Sequence, residues 1–152
     1  MKALKKFLMS FKYAFCGLWF CIKTGRNFRV HTVAAALALY LCYITEQSVT
    51  NTAIVSILIA IVLSLECLNT ALEQVCDEIT LEKREFIKHA KDASAAAVLV
   101  CAIVSLAVGI AMFFNSTTLN AIASPLNCGI GVLIILLSFI YVFYEDIFKN
   151  DK

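Results

Sequence analysis

From Ala93 to Tyr144 the chain contains no Asp, Glu, Lys or Arg. A run of that length cannot be one element of a soluble core. A helix of roughly 20 apolar residues already crosses about 30 Å of hydrocarbon, so the run needs lipid as its solvent and must turn back on itself. Asn115, Ser116, Thr117 and Thr118, followed by Asn120, Ser124 and Pro125, supply polar and helix-breaking residues for a turn. The remainder agrees, for 61% of the 152 residues are hydrophobic and only 16% charged, with the charges crowded at the two ends and between Asp77 and Asp92.

This pattern predicts four transmembrane helices, at about 28–45, 52–76, 93–114 and 127–144. The apolar runs are continuous and lack the alternation of a membrane β-barrel, and helices satisfy their own backbone groups in lipid. The fold class is therefore an all-α integral membrane protein. Basic residues collect on the cytoplasmic side of short loops, and here they agree. Lys2, Lys5, Lys6, Lys12, Lys23, Arg26 and Arg29 precede the first span, Lys83, Arg84, Lys88 and Lys91 lie between the second and third, and Lys149 and Lys152 follow the fourth. Four crossings place all of them, and both termini, in the cytoplasm; Glu46 is the one charge in the opposite loops.

Residues 1–27 read as an amphipathic helix lying on the membrane surface, with Leu4, Phe7, Leu8, Phe11, Phe15, Leu18, Trp19 and Ile22 at helical spacing between lysines. Lys12 interrupts the apolar region a signal peptide would need, so the segment is expected to be retained. The seven cysteines form no C-x-x-C pair and read as apolar packing residues. His31, at the mouth of the first span, lacks a partner at metal-ligand spacing and reads as an interfacial or pocket-lining residue without assigned chemistry.

The segment ECLNTALEQVCD, Glu66 to Asp77, carries the chemistry. A charged side chain at the centre of a membrane helix costs roughly 2.5–3.5 kcal/mol even on gentle insertion scales, so intramembrane acids face protein, water or a ligand. At about 100° per residue, Glu66, Asn69, Thr70, Glu73 and Asp77 share one face. At about 1.5 Å per residue this face spans roughly 16 Å, enough to join an aqueous reactant to a lipid. The bland alternative is that Asn69 and Thr70 glue helices together while Glu66 and Glu73 pair with basic neighbours. Against it, Lys91 and Arg29 are expected near the surface, whereas Glu66 is not.

This motif resembles the signature E-x-x-N-[ST]-A-[IL]-E-x-x-x-D of the bacterial diacylglycerol kinase and undecaprenol kinase family. SFKYAFCGL (Ser10 to Leu18), RNFRVH (Arg26 to His31) and AKDASAAAVL (Ala90 to Leu99) resemble the family's surface helix and the starts of its first and third spans, in the same order. The resemblance covers about the first 115 residues. It implies a surface helix and three spans forming a lipid kinase domain over 1–115, assembled as a homotrimer with active sites between subunits. Residues 116–152, with the fourth span, are then a C-terminal extension.

The resemblance also implies transfer of the γ-phosphoryl group of ATP to the hydroxyl of a membrane lipid, with Mg²⁺. Glu66 matches the general base, and Asn69 a residue orienting that base or the nucleotide. Glu73 matches the Mg²⁺ carboxylate, and Tyr13, Lys91 and Asp92 match nucleotide contacts. Thr70 and Asp77 complete the polar face. Two departures stand out: Gly25 occupies the position of a second metal-binding carboxylate, and Lys83 and Arg84 replace a Tyr-His pair. RNFRVH leans toward undecaprenol over diacylglycerol as the substrate.

No G-x-x-x-x-G-K-[ST] loop or protein-kinase signature is present, and a net charge of +2 with cations placed by topology argues against nucleic-acid binding. Two other classes stay open at this level. A proton-coupled four-helix exporter could also use Glu66, and a catalytically degenerate, structural or regulatory subunit would account for Gly25.

Overall fold

The computed structural model describes residues 2–79, 84–114 and 116–148; Lys83, Asn115, Lys149 and Lys152 lie outside them. Among the described residues there are six helices and no strand: α1 (Lys2–Thr24), α2 (Arg26–Ile44), α3 (Val49–Ile79), α4 (Glu85–Phe113), α5 (Ser116–Ala123) and α6 (Pro125–Phe148). Four of them, α2, α3, α4 and α6 through Phe143, are long and apolar enough to cross a membrane, which matches the four expected spans.

The helix ends follow local chemistry. Gly25 is extended (φ −89°, ψ 101°) and separates α1 from α2. Its N–H donates to the Cys21 carbonyl at 2.8 Å and its own carbonyl accepts from Arg29 N–H. At the far end of α2, Gln47 N–H reaches the Cys42 carbonyl and Glu46 N–H the Tyr43 carbonyl. This paired pattern closes a helix through a left-handed residue, and Glu46 takes that position at φ 50°. Ser48 then accepts from Asn51 N–H as the N-cap of α3. Ser124 does the same for α6, accepting from Asn127 N–H, with Pro125 at the first helical position, where its missing N–H costs nothing.

Two boundaries differ from the sequence reading. The helix that carries the third span begins at Glu85, ahead of the apolar stretch expected from about Ala93, because the charged segment before that stretch is helical too. The connection expected as a turn between the last two spans contains a helix of its own, α5.

At 31 residues, α3 is about 46 Å long, well beyond the hydrocarbon thickness. Its charged end continues alongside the charged start of α4, where Lys91 Nζ meets Asp77 Oδ1 at 2.6 Å. The most extensive packing is of α3 on α4, with α2 against the other side of α3, α6 against α2, and α1 against α2 and α3. Tyr40 of α2 donates to the Asn127 carbonyl of α6 at 3.2 Å.

Only 17% of the apolar window of α3 and 6% of that of α4 are buried within the chain. The rest of each span must be covered by lipid or by other chains. The apolar stripe of α1, including Phe7, Phe11, Phe15 and Trp19, is likewise exposed, as an interfacial helix requires.

Arg29 links α2 to α1 and α6. It is buried, and its guanidinium donates to the carbonyls of Ile22 (3.1 Å) and Lys23 (2.9 Å) at the end of α1 and to the Val142 carbonyl of α6 (3.2 Å). The last carbonyls of a helix have no partners inside it and carry the negative end of its dipole. One planar cation with several donors satisfies two of them and still reaches α6.

Candidate active site

Packing of α3 against α2 and α4 buries one stripe of α3: Val55, Val62, Glu66, Asn69, Thr70 and Cys76. At helical pitch these fall on one face. Its outer half is apolar and its inner half polar, so the acidic motif continues the same protein-facing stripe that begins in the apolar half of the span. Glu66, the deepest carboxylate, is 4% exposed, and a group of that kind must be paired.

Its partner is His31. The imidazole Nε2 lies 3.3 Å from Glu66 Oε1, and the histidine side chain is itself mostly covered. By sequence His31 carries no assigned chemistry, and the basic residues weighed as partners of Glu66 are Lys91 and Arg29. No sequence signal pairs His31 with Glu66, because which faces of α2 and α3 meet is decided by packing.

One turn nearer the charged end, Asn69 Nδ2 donates to Glu73 Oε1 at 3.2 Å. Ser94 Oγ of α4 lies 2.6 Å from Asn69 Oδ1 and 2.9 Å from the Lys91 carbonyl; its single proton serves one acceptor at a time. Asn69 thereby orients Glu73, while the group held against Glu66 is His31. Ser94 is the second residue that motif matching missed, hidden among the small residues of AKDASAAAVL. Two turns further, Asp77 is exposed and paired with Lys91.

The chain thus brings Glu66, Asn69, Thr70, Glu73, Asp77 and Lys91 to one face between α3 and its neighbours. Tyr13 on α1 and Asp92 on α4 are exposed and stand outside the bonded cluster of described residues. Arg84 precedes α4 as its N-cap.

Gly25 lies against the same face: a Cβ built on it would sit 3.7 Å from Thr70 Oγ1, but only 2.8 Å from the Cys21 carbonyl oxygen and 3.1 Å from Phe28 Cβ. A side chain at 25 would therefore point toward the site yet require the α1–α2 joint to shift. Among the described residues no three His, Cys, Asp or Glu side chains converge as a metal cage. The carboxylates of this face are Glu66, Glu73 and Asp77, of which Glu66 lies against His31 and Asp77 against Lys91.

Beyond His31 a cleft of about 700 Å³ opens between α2, α3 and α4, walled almost wholly by apolar side chains and bounded at its far end by α5. A carboxylate cluster at one end and an apolar cleft at the other give this helix-spanning face one polar and one apolar half.

Sequence comparison identifies the family. The family model described as prokaryotic diacylglycerol kinase matches residues 12–113. An undecaprenol kinase of Bacillus subtilis is 40% identical over 110 residues, which cover 72% of this chain and 89% of that protein. A diacylglycerol kinase of Synechocystis is 37% identical over 103 residues, covering 67% of this chain and 59% of that longer protein. No solved structure matches the chain. The chain belongs to the prokaryotic diacylglycerol kinase family, a family of lipid kinases.

Proposed function

We propose that the chain transfers the γ-phosphoryl group of ATP to the hydroxyl of a membrane lipid alcohol, with undecaprenol favoured over diacylglycerol. The observation that carries this reading is the buried Glu66 carboxylate, held by His31 where the polar stripe of α3 meets the apolar cleft. A lipid hydroxyl placed there gives its proton to Glu66, its oxygen bonds to the γ-phosphorus, and ADP leaves with the bridging oxygen. Phosphoryl transfer depends mainly on positioning and charge stabilisation.

Glu73, oriented by Asn69 and Ser94, is the residue that would hold Mg²⁺, which when bound neutralises the phosphate oxygens. Lys91 supplies a cation for the nucleotide phosphates, and Tyr13 and Asp92 supply further nucleotide contacts. The lean toward undecaprenol rests on RNFRVH and on the name of the 40% identical relative.

The same reading takes residues 1–115 as the kinase domain and 116–152 as an extension. Both termini lie in the cytoplasm, beneath the cytoplasmic membrane of a bacterium. A homotrimer accounts for the lipid-facing surfaces of α3 and α4 that one chain leaves uncovered.

The test is phosphate transfer by the purified protein in bilayers, with undecaprenol and diacylglycerol offered separately, Mg²⁺ present or chelated, and Glu66→Gln beside the wild type. Product from one lipid, lost on chelation and in the variant, is the expected result. A folded wild type that phosphorylates neither lipid rejects the reading, and substrate movement driven by a proton gradient without ATP would replace it with transport.

A further inference from the structure

The cleft beside His31 has a second end, and Phe114, Leu119 and Ile122, outside the segment matched to the family, contribute to its wall. Along α2 the cleft is lined from Val30 and His31 to Leu41, a rise of about 15 Å from the imidazole. Small side chains such as Ala34, Ala38 and Gly109 leave the space open, and Leu119 and Ile122 of α5 bound it at the far end. The family match stops at residue 113.

We infer that this cleft holds the hydrocarbon chain of the lipid acceptor, and that Leu119 and Ile122 determine which chain lengths are accepted. The inference rests on the lipid-kinase reading. A hydroxyl at Glu66 has polar groups toward the charged end of α3 and apolar walls toward α5, so the tail attached to it extends along those walls. No Asp, Glu, Lys or Arg lines the cleft, so it offers a hydrated reactant few partners, whereas a chain meets mostly apolar walls along its length. Only the distal part of a long chain reaches α5. A short chain anchored at Glu66 ends before it.

The experiment compares the full chain with Leu119→Trp and Ile122→Trp, which fill the distal end, and with Leu119→Ala and Ile122→Ala, which enlarge it. Each is offered geraniol against undecaprenol, and dihexanoylglycerol against dipalmitoylglycerol, in bilayers with ATP and Mg²⁺. One or two methylene groups of fit are worth about tenfold in an apolar pocket, so the Trp variants should lose about that factor in kcat/KM on the long-chain lipid and keep the wild-type value on the short one. The Ala variants, which remove apolar contact without blocking the end, should lose less than the Trp variants on the long-chain lipid. Trp variants that slow short and long chains alike, or neither, overturn the inference; a parallel loss with altered oligomeric state would show that a second copy of the chain covers the cleft instead. A wild type inactive on all four lipids rejects the kinase reading itself, which is a different result from an active enzyme indifferent to α5.

Discussion

The imidazole Nε2 of His31 lies 3.3 Å from the buried carboxylate Oε1 of Glu66, across the contact between the first and second spans. Neither residue's position in the sequence announces the other, and the pair stands where the polar stripe of α3 gives way to the cleft.

If His31 positions Glu66, His31→Ala should lower kcat by about tenfold to a hundredfold, the lower range for loss of support to a general base, with little change in KM for ATP. In the Glu66→Gln background the same substitution should cost almost nothing further, since residues that act as a unit are not additive. Steady-state kinetics of the two single variants and the double variant check this; equal losses in both backgrounds would separate the residues.

Ser94 and Asn69 tie α4 to α3 beside Glu73. Ser94→Ala should cost about 0.5–1.5 kcal/mol of stability, the usual worth of one such bond. It should also raise the Mg²⁺ concentration needed for half-maximal rate, because the carboxylate loses its orientation. A Mg²⁺ titration alongside thermal unfolding in detergent reads both effects.

Asp77 holds Lys91 at 2.6 Å; if Lys91 contacts the nucleotide as proposed, Asp77 competes with phosphate for that cation. Removing the competitor by Asp77→Asn should lower KM for ATP, whereas Lys91→Met should raise it. Shifts in the same direction would mean that Lys91 serves the α3–α4 contact and not the nucleotide.

Arg29 donates to three carbonyls on two other helices. Hydrogen bonds from a charged donor are worth about 1.5–3 kcal/mol each, so Arg29→Met should lower the unfolding temperature markedly and expose the α1–α2 joint to protease. Arg29→Lys should recover only part of the loss, because an ammonium cannot reproduce the planar fork. Full rescue by lysine would reduce the role to charge alone.

Gly25→Glu, which would add the carboxylate that the resemblance implies at this position, places a Cβ 2.8 Å from a backbone oxygen and beside buried Phe28. Overpacking of this kind costs about 1–3 kcal/mol. Gly25→Ala and Gly25→Glu should therefore both be less stable than the wild type, and thermal unfolding of the two decides it.

The membrane class, the number of spans and the acidic face of α3 were legible in the sequence because each rests on composition or on the period of a single helix. A charge-free run must lie in lipid wherever its neighbours are, and residues at helical spacing share a face before anything packs on it. Cap residues such as Pro125 marked a helix start for the same local reason. Pairing between helices is different, because it depends on which faces meet and at what depth. Tertiary packing alone set His31 against Glu66, gave Ser94 to Asn69, buried Arg29 against α1 and α6, and brought α5 to the end of the cleft. A one-dimensional pattern specifies the direction of a side chain from its own helix axis, and only the arrangement of the axes decides what stands opposite it.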